Sequence, residues 1–350
     1  MNLSAEAISL LKSLISTPSI SGQEEGTASL IEQFLHKHGI ATKRHGHNVL
    51  AFSEEHTNKP SILLCSHHDT VRPNKGYTRD PHHAEILDGK LFGLGSNDAG
   101  GALVSLITTY ISLHKEDLPF QLVLACVAEE ETSGPNGVTS ILEQLPPIDL
   151  AIVGEPTQMQ MATAEKGLMV IDGRTNGVPG HAAHKGTTNP IYLACEDALA
   201  IQRHEFVRAS PLLGPTRASV TVIHAGTQHN QVPAQCEYVI DVRVNDRYTN
   251  EEVFDELQAI VQGDLRPRSF RLKSSGLPAK HPILQVATQL DIHTFGSGTM
   301  SDQALLPYPS IKIGPGDTLR SHMADEFIYI HEVESAIERY IEIIRNYQPT

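Results

Sequence analysis

The side chains best suited to chemistry are histidines and carboxylates in five short segments of the sequence. In SHHDTV, His67 and Asp69 stand two residues apart. That spacing puts both side chains on the same side of an extended chain. A carboxylate beside a histidine can fix the ring tautomer and raise its basicity as a metal ligand. The pair predicts a histidine ligand with a supporting carboxylate, although a solvated turn explains the motif equally well when it is taken alone.

Asp98 lies in the second segment, the glycine-rich GLGSNDAGG. A nucleotide-binding G-x-G-x-x-G loop does not fit, because Asp98 occupies the place of the third glycine, and no lysine follows to form a phosphate loop. Glycines allow the backbone to pack closely around a ligand. The two carboxylate oxygens of Asp98 are then free to bind two different ions.

The other three segments are also rich in oxygen and nitrogen ligands. Residues 129–131 are three adjacent glutamates, which repel one another unless solvent or a cation neutralises them. Glu155 follows an apolar run in VGEPT, and His322 lies in RSHMADE. The four cysteines form no C-x-x-C pair, so a thiolate zinc site is not expected. A set of nitrogen and oxygen ligands suits zinc, and also cobalt or manganese.

Alternating strands and helices must position these side chains. Buried strands are predicted directly before three of the segments, and open α/β sheets bind ligands at the carboxyl ends of their strands. A largely parallel sheet with helices on both faces is therefore expected. The strands are predicted at 61–65, 120–127 and 150–153, and the helices at 5–16, 24–38 and 100–113.

The pattern changes after about residue 164 to the β-α-β-β-α-β order of a ferredoxin-like unit. This predicts a small domain at 164–273, inserted in a larger catalytic domain formed by 1–163 and 274–350. Within the insert, strands are predicted at 168–176, 218–224, 237–244 and 269–273, and helices at 189–203 and 251–262.

Composition narrows the class of protein. The chain has 350 residues, 40% of them hydrophobic, and a formal net charge of -14. An acidic chain repels phosphate backbones, so nucleic acid is not an expected partner. No apolar run approaches the roughly 20 residues of a membrane helix. The N-terminus has neither a basic region nor a small-residue cleavage site, which favours a cytoplasmic protein.

Taken together, SHHDTV, GLGSNDAGG, AEEETSG, VGEPT and SHMADE resemble a known family. It is the co-catalytic metallopeptidase family of acetylornithine deacetylase, succinyl-diaminopimelate desuccinylase, aminoacylase and the glutamate carboxypeptidases. The resemblance spans nearly the whole chain. It implies a zinc-exopeptidase-like α/β catalytic domain, with a mixed sheet flanked by helices, and an inserted ferredoxin-like α+β lid and dimerisation domain. It also implies two bound divalent ions, zinc foremost, and a homodimer formed through the lid.

The resemblance assigns roles to individual residues. Glu130 matches the general base, Asp69 the carboxylate that orients a ligand, and His181 a histidine that reaches the partner subunit's active site to stabilise an oxyanion. Asp98 matches the aspartate that bridges both ions. The metal ligands implied are His67, Asp98, Glu131, Glu155 and His322, and the substrate-binding residues are Asn230, Arg243, Thr299 and Ser301.

The segments EKGLMV, SPLLGP, AGTQHN and SDQAL are most similar to those of short acetylornithine deacetylases. This implies hydrolysis of N-acetyl-L-ornithine or N-succinyl-L-ornithine to ornithine in arginine biosynthesis. Two alternatives stay open. The first is a metallo-dipeptidase or carboxypeptidase on the same fold. The second is an inactive metal-binding scaffold, which the presence of every expected ligand and of Glu130 disfavours. Two departures from the family pattern, Pro73 displaced by Arg72 and Ala-Gly after Asp98, indicate a subfamily.

Overall fold

A computed structural model describes residues 3–53 and 59–349 of the chain. The chain separates into two compact units. The first comprises Met1–Thr163, Gly276–Phe295 and Ser301–Thr350, and the second comprises Ala164–Ser275 and Gly296–Met300. The short stretch 296–300 thus groups with the second unit, whereas the sequence prediction placed it in the catalytic domain.

The helices and strands alternate through both units. The α-helices are α1 Leu3–Ile15, α2 Glu25–Lys37, α3 Gly101–Leu113, α4 Val138–Ile141, α5 Pro190–Arg203, α6 Asn250–Ile260, α7 Ile283–Gln289 and α8 Ile330–Asn346. The strands are β1 Lys43–His45, β2 Asn48–Phe52, β3 Ser61–His67, β4 Glu85–Leu87, β5 Lys90–Phe92, β6 Gln121–Val127, β7 Ile148–Val153, β8 Met161–Glu165, β9 Gly167–Asn176, β10 Gly180–His181, β11 Arg217–Ala225, β12 Gln231–Val232, β13 Gln235–Val244, β14 Asp264–Pro267, β15 Ser275–Gly276, β16 Thr294–Ser297, β17 Ser310–Lys312 and β18 Phe327–Tyr329.

The main sheet of the first unit has the order β1-β2-β6-β3-β7-β17-β8-β15, with β16 paired to β8. β3 lies between β6 and β7 and runs parallel to both, and β17 is parallel to β7. β2 is antiparallel to β6, so the sheet is mixed. Every residue of β3 and β6 is buried, as expected for central strands covered on both faces.

Hydrophobic clusters cover both faces of this sheet. Ile62 and Leu64 of β3 belong to one cluster, together with residues of α1, α2, α3 and α8. Leu63 and Cys65, which point the other way along the strand, belong to a second cluster that includes residues of α4. Within 3–53 and 59–349, no helix is long and apolar enough to cross a membrane.

The second unit contains a four-stranded sheet of order β11-β13-β9-β14. Residues of α5 and α6 complete its hydrophobic core. Asn189 caps α5, its side chain accepting the N–H of Ile191, and Thr249 with Glu252 forms a capping box at α6. These are the helices that the sequence predicts at 189–203 and 251–262.

The last strand of the insert differs from the prediction. It was expected at 269–273, but the strand is β14, Asp264–Pro267, which pairs antiparallel with β9. Residues 269–273 are irregular, because Asn250 Nδ2 donates hydrogen bonds to the carbonyls of Phe270 and Leu272, both at 3.0 Å. Strand β14 has only four residues, two of them charged, and it ends in proline, so it carries almost no strand signal of its own.

Candidate metal centre

The parallel strands β6, β3 and β7 bring their ligand-bearing segments to one edge of the main sheet. Because neighbouring parallel strands end on the same side, the residues that follow them converge. His67 is the last residue of β3, Glu130 and Glu131 follow β6, and Glu155 follows β7. The order of strands, rather than sequence proximity, therefore assembles these side chains.

Asp98 reaches the same edge from a turn, Ser96–Gly100, that precedes α3. Gly95 begins this turn with φ of 76°, and a Cβ there would lie 2.6 Å from Thr70 Cγ2, so only glycine fits. The buried carboxylate of Glu326 holds the turn. It accepts the backbone N–H groups of Gly95 at 3.1 Å, Asn97 at 2.8 Å and Asp98 at 2.9 Å. Glu326 thereby fixes the direction of the Asp98 side chain.

Replacing Glu326 by alanine should destabilise the metal-free protein by about 3 kcal/mol, because it leaves three backbone donors of the Asp98 turn without their partner. Equilibrium unfolding in urea measures the difference. Glu334→Ala is the matched control, since Glu334 is an exposed carboxylate on α8. Equal stability of the two variants would contradict the role given to Glu326.

The two carboxylate oxygens of Asp98 face two different histidines. Oδ1 lies 3.3 Å from His67 Nε2, and Oδ2 lies 3.6 Å from His322 Nε2. On one side, His67 Nε2 is also 3.8 Å from Glu155 Oε1. On the other, His322 Nε2 is 3.0 Å from Glu131 Oε2. The other four ligands predicted from the sequence are thus brought together around Asp98.

The donor set fits divalent metal ions. Two groups of three side chains, His67-Asp98-Glu131 and His67-Glu130-Glu155, have ligand atoms within 4.8 Å of one another. Atoms that bind one tetrahedral zinc stand about 3.3 Å apart, since each lies roughly 2.0–2.2 Å from the ion. The distances around Asp98 are of this size. Nitrogen and oxygen donors without sulfur suit zinc, cobalt or manganese.

Asp69 contributes to the centre in two ways. Its backbone carbonyl accepts a hydrogen bond from His67 Nδ1 at 3.0 Å, and its Oδ1 lies 3.4 Å from the same nitrogen. A proton on Nδ1 leaves Nε2 to face Asp98. The carboxylate also accepts the N–H groups of Glu130 at 3.0 Å and Glu131 at 3.1 Å. This second contact, which the spacing of His67 and Asp69 does not reveal, fixes the loop after β6.

The carboxylates make the centre strongly attractive to positive charge. Burial disfavours a charged ring, but Asp69 and Asp98 raise the pKa of His67 well above its usual value. The hydrogen bond to Glu131 raises the pKa of His322 to about 9. Burial, followed by the charge of Asp98, raises the pKa of Glu155 to about 8. Nearby negative charge favours the protonated histidine ring and the neutral carboxylic acid, so it contributes to the rise of all three pKa values.

Glu130 also lies among these groups, with a carboxylate oxygen within 4.8 Å of ligand atoms of His67 and Glu155. Burial raises the pKa of Glu130 well above its usual value, and the positive charge of His67 offsets only part of that rise. A carboxyl group with a raised pKa is suited to take up and release a proton near neutral pH.

The predicted residues of the second unit lie in two places. His181, on β10, is directly opposite Gln231 of β12, and the N–H of Ala182 donates to the carbonyl of Asn230 at 2.9 Å, so His181 and Asn230 are neighbours. Arg243 lies on β13, where it forms a bidentate pair with Asp241 at 2.9 and 3.1 Å.

Thr299 and Ser301 follow strand β16. Thr299 Oγ1 is 3.0 Å from Ser297 Oγ. Ser301 is buried, and its hydroxyl accepts the N–H of Gln303 at 3.3 Å, which caps a short turn at Asp302–Leu305. A capping contact of this kind is a structural task of Ser301 that the sequence prediction did not include.

Sequence reasoning also missed Glu326. It belongs to SHMADE, where only His322 was given a role. Its position four residues after a ligand is the one available signal, but its partners at 95–98 lie more than 200 residues away in the chain. Burial and, to a smaller extent, the negative charge of Asp98 raise the pKa of Glu326 to about 8, so Glu326 belongs to the same cluster of interacting acids.

Comparison with known proteins gives three consistent results. Residues 163–268 match the family model of a peptidase dimerisation domain. The chain is 28% identical over 385 residues to the acetylornithine deacetylase of Klebsiella pneumoniae, covering 97% of each. It is 25% identical over 366 residues to the succinyl-diaminopimelate desuccinylase of Psychromonas ingrahamii, covering 94% of this chain and 95% of the relative.

Among solved structures, an M20 family metallo-carboxypeptidase from Sulfolobus solfataricus has the same fold. Its TM-score is 0.77 at 16% identity, and the match covers 99% of both chains. The comparisons confirm the resemblance to the co-catalytic metallopeptidases and the α/β fold with an inserted dimerisation domain. They also confirm the prediction of a metal-dependent hydrolase.

Proposed function

We propose that this metal-dependent hydrolase, which has the fold and the inserted domain of the M20 metallopeptidases, cleaves the N-acyl amide of a small amino acid. The observation that carries the proposal is Asp98, whose two oxygens face His67 and His322 from opposite sides. That arrangement is suited to two metal ions. Zinc is the ion we propose, held by His67, Asp98 and Glu155 on one side and by Asp98, Glu131 and His322 on the other.

Bound divalent ions would polarise the acyl carbonyl and lower the pKa of the attacking water. The protein's own groups move the proton. Glu130 accepts it from the water as the water attacks the carbonyl carbon, and later donates it to the nitrogen of the leaving amine. The products are a free α-amine and a small carboxylate. Asp69 keeps His67 in one tautomer and the loop of Glu130 in place during this exchange.

The oxyanion and the substrate's carboxylate need further donors. By resemblance, we propose that the partner subunit's His181 donates a hydrogen bond to the oxyanion, which makes the active form a homodimer. Loss of one such donor typically costs about 100- to 1,000-fold in rate. We propose Asn230, Arg243, Thr299 and Ser301 as substrate-binding residues.

The proposed substrates are N-acetyl-L-ornithine and N-succinyl-L-ornithine. Full-length similarity to an acetylornithine deacetylase and to a desuccinylase supports the choice of a small N-acyl amino acid. Such an enzyme would supply ornithine for arginine biosynthesis in the cytoplasm. The second candidate is a dipeptidase or carboxypeptidase, which the fold shared with a metallo-carboxypeptidase favours.

A side-by-side assay separates these candidates. N-acetyl-L-ornithine, N-succinyl-L-ornithine, N-acetyl-L-citrulline and a set of dipeptides are incubated with the protein and zinc or cobalt, and parallel samples contain a chelator. We expect turnover of one N-acyl amino acid that the chelator abolishes. Turnover of dipeptides alone would replace the proposal by the peptidase, and turnover that survives the chelator would overturn the metal-dependent mechanism.

A further inference from the structure

Glu24 is a fully buried carboxylate near the metal centre to which neither motif nor resemblance assigned a role. It stands directly before α2, and its side chain is 0% exposed. Its Oε1 accepts the N–H of Gly22 at 2.6 Å, and its Oε2 accepts a hydrogen bond from His47 Nδ1 at 2.6 Å. A charged group that is held so far from solvent needs compensating partners. The hydrogen-bond partners of Glu24 therefore show which part of the structure this side chain supports.

The third partner of Glu24 belongs to the loop after β6. Glu24 Oε1 accepts the N–H of Glu129 at 3.2 Å. Glu129 has a left-handed backbone, with φ of 56°, which a residue with a side chain adopts only when its surroundings hold it there. This turn directs the next two side chains, Glu130 and Glu131, toward the metal centre. Glu129 does not enter the centre itself, because its carboxylate binds the N–H and the side-chain amide of Asn136, at 3.0 and 2.8 Å.

Two carboxylates therefore accept hydrogen bonds from three consecutive N–H groups of this loop. Glu24 binds the N–H of Glu129, while Asp69 binds those of Glu130 and Glu131. Asp69 belongs to a predicted motif and contacts a metal ligand, whereas Glu24 contacts none. Its position ahead of α2 also suits a negative charge, since the N-terminus of a helix carries a partial positive charge.

We propose that Glu24 is a positioning residue that holds the loop of residues 129–131 in the conformation needed by both the proposed base Glu130 and the proposed ligand Glu131. The inference rests on the proposed function only for the roles of those two side chains. His47 helps to hold the Glu24 side chain in place, because it donates a hydrogen bond to Oε2, the oxygen that does not contact the loop. Loss of the Glu24 contact loosens the loop without removing any ligand.

Two conservative variants test whether the hydrogen bond to the loop matters or only the charge. Glu24→Gln keeps the length of the side chain and its accepting oxygen, and the new amide can donate to His47 Nδ1 in the ring tautomer that carries its proton on Nε2. Glu24→Asp keeps the charge but withdraws the carboxylate by one methylene from the Glu129 N–H. Alanine is avoided because it leaves buried donors unpaired and risks unfolding. The matched control is Glu25→Gln, since the side chain of neighbouring Glu25 is 72% exposed.

The readouts need no substrate. Amide hydrogen exchange of the segment 128–137 is followed by mass spectrometry in the metal-free, full-length protein, and zinc affinity is measured by competition with a chromophoric chelator. We expect Glu24→Asp to speed exchange in this segment and to weaken zinc binding about 10- to 100-fold, the usual effect of losing a group that orients ligands. Glu24→Gln and Glu25→Gln should resemble the unaltered protein in both measurements.

Two results would overturn the proposal. One is a Glu24→Asp variant with unaltered exchange and zinc affinity. The other is a Glu24→Gln variant as impaired as Glu24→Asp, because the charge and not the contact with the loop would then matter. Failure of the substrate assay described above would leave these readouts intact, so the two proposals fail separately. If both variants give the expected exchange and zinc affinity, kcat for the substrate that the assay identifies should be lower in Glu24→Asp than in the unaltered protein. In Glu24→Gln it should be close to that of the unaltered protein.

Discussion

Replacement of Glu130 by glutamine should lower kcat by about 1,000-fold or more while the protein still binds its full complement of metal. The reason is that glutamine preserves the shape of the side chain but can neither accept the proton of the attacking water nor pass it to the leaving amine. General acid–base catalysis by one positioned group typically contributes 10²–10⁴-fold. Burial raises the pKa of Glu130, so the carboxyl group is poised for both transfers.

Metal stoichiometry decides between two roles for Glu130. Its carboxylate lies within 4.8 Å of ligand atoms of His67 and Glu155, so a direct contact with an ion is geometrically open to it. A base leaves the metal count unchanged on substitution, whereas a ligand lowers it. Elemental analysis of Glu130→Gln beside Asp117→Asn, which alters a fully exposed carboxylate, gives the answer. Retained activity with unchanged metal content would remove Glu130 from the chemistry altogether.

The convergence of three proposed ligand segments was predictable because each segment lies in a local pattern. A buried apolar strand followed at once by a histidine or a carboxylate occurs at His67, at residues 129–131 and at Glu155, and a sheet of parallel neighbours brings such ends together. The prediction needed no knowledge of which strand lies beside which. The bounds of α2, α3 and α5 were predicted to within one residue at each end, since helical periodicity and end signals are properties of short stretches of sequence.

The contacts that support the ligand loops could not be predicted from the sequence, because they join distant parts of the chain. Glu326 binds residues 95–98, and Glu24 binds Glu129, 105 positions along the sequence. Neither contact follows from periodicity, charge spacing or a turn signal. The misplaced strand at 269–273 has a similar origin. β14 is set by pairing with β9, and Asn250 holds the predicted segment in an irregular form.

One physical theme links these hidden contacts. Asp69, Glu24 and Glu326 each use a buried carboxylate to accept between one and three backbone N–H groups of a loop that carries a proposed ligand. Backbone donors are fixed in direction, so a carboxylate that accepts two or three of them sets the loop conformation more firmly than a flexible side chain would. Asp69, whose pKa its hydrogen bonds and the neighbouring His67 hold at about 2, also adds negative charge around the centre. Asp69 thus both shapes a loop with a proposed ligand and increases the site's preference for cations.

Replacement of Asp98 by alanine should remove the binding of both metal ions and abolish activity. Asp98 contacts both histidines, through Oδ1 at 3.3 Å and Oδ2 at 3.6 Å. Without it, each side retains two ligands from the proposed set and the central negative charge is lost. His322→Ala is the informative comparison, because His322 lies against Glu131 and Asp98 on one side only. That variant should lose one metal equivalent and keep the other.

Stability supplies an independent reading of the same experiment. An ion that binds only the folded state adds about 2.7 kcal/mol at a concentration 100 times its dissociation constant. Zinc should therefore raise the melting temperature of the unaltered protein, raise it less in His322→Ala, and leave Asp98→Ala unchanged. Calorimetry with and without zinc measures all three. Binding of two ions by Asp98→Ala would show that Asp98 is not shared by the two metal sites. Loss of both ions in His322→Ala would show that His322 does not serve one site only. Either result would contradict the proposed pair of sites that share Asp98.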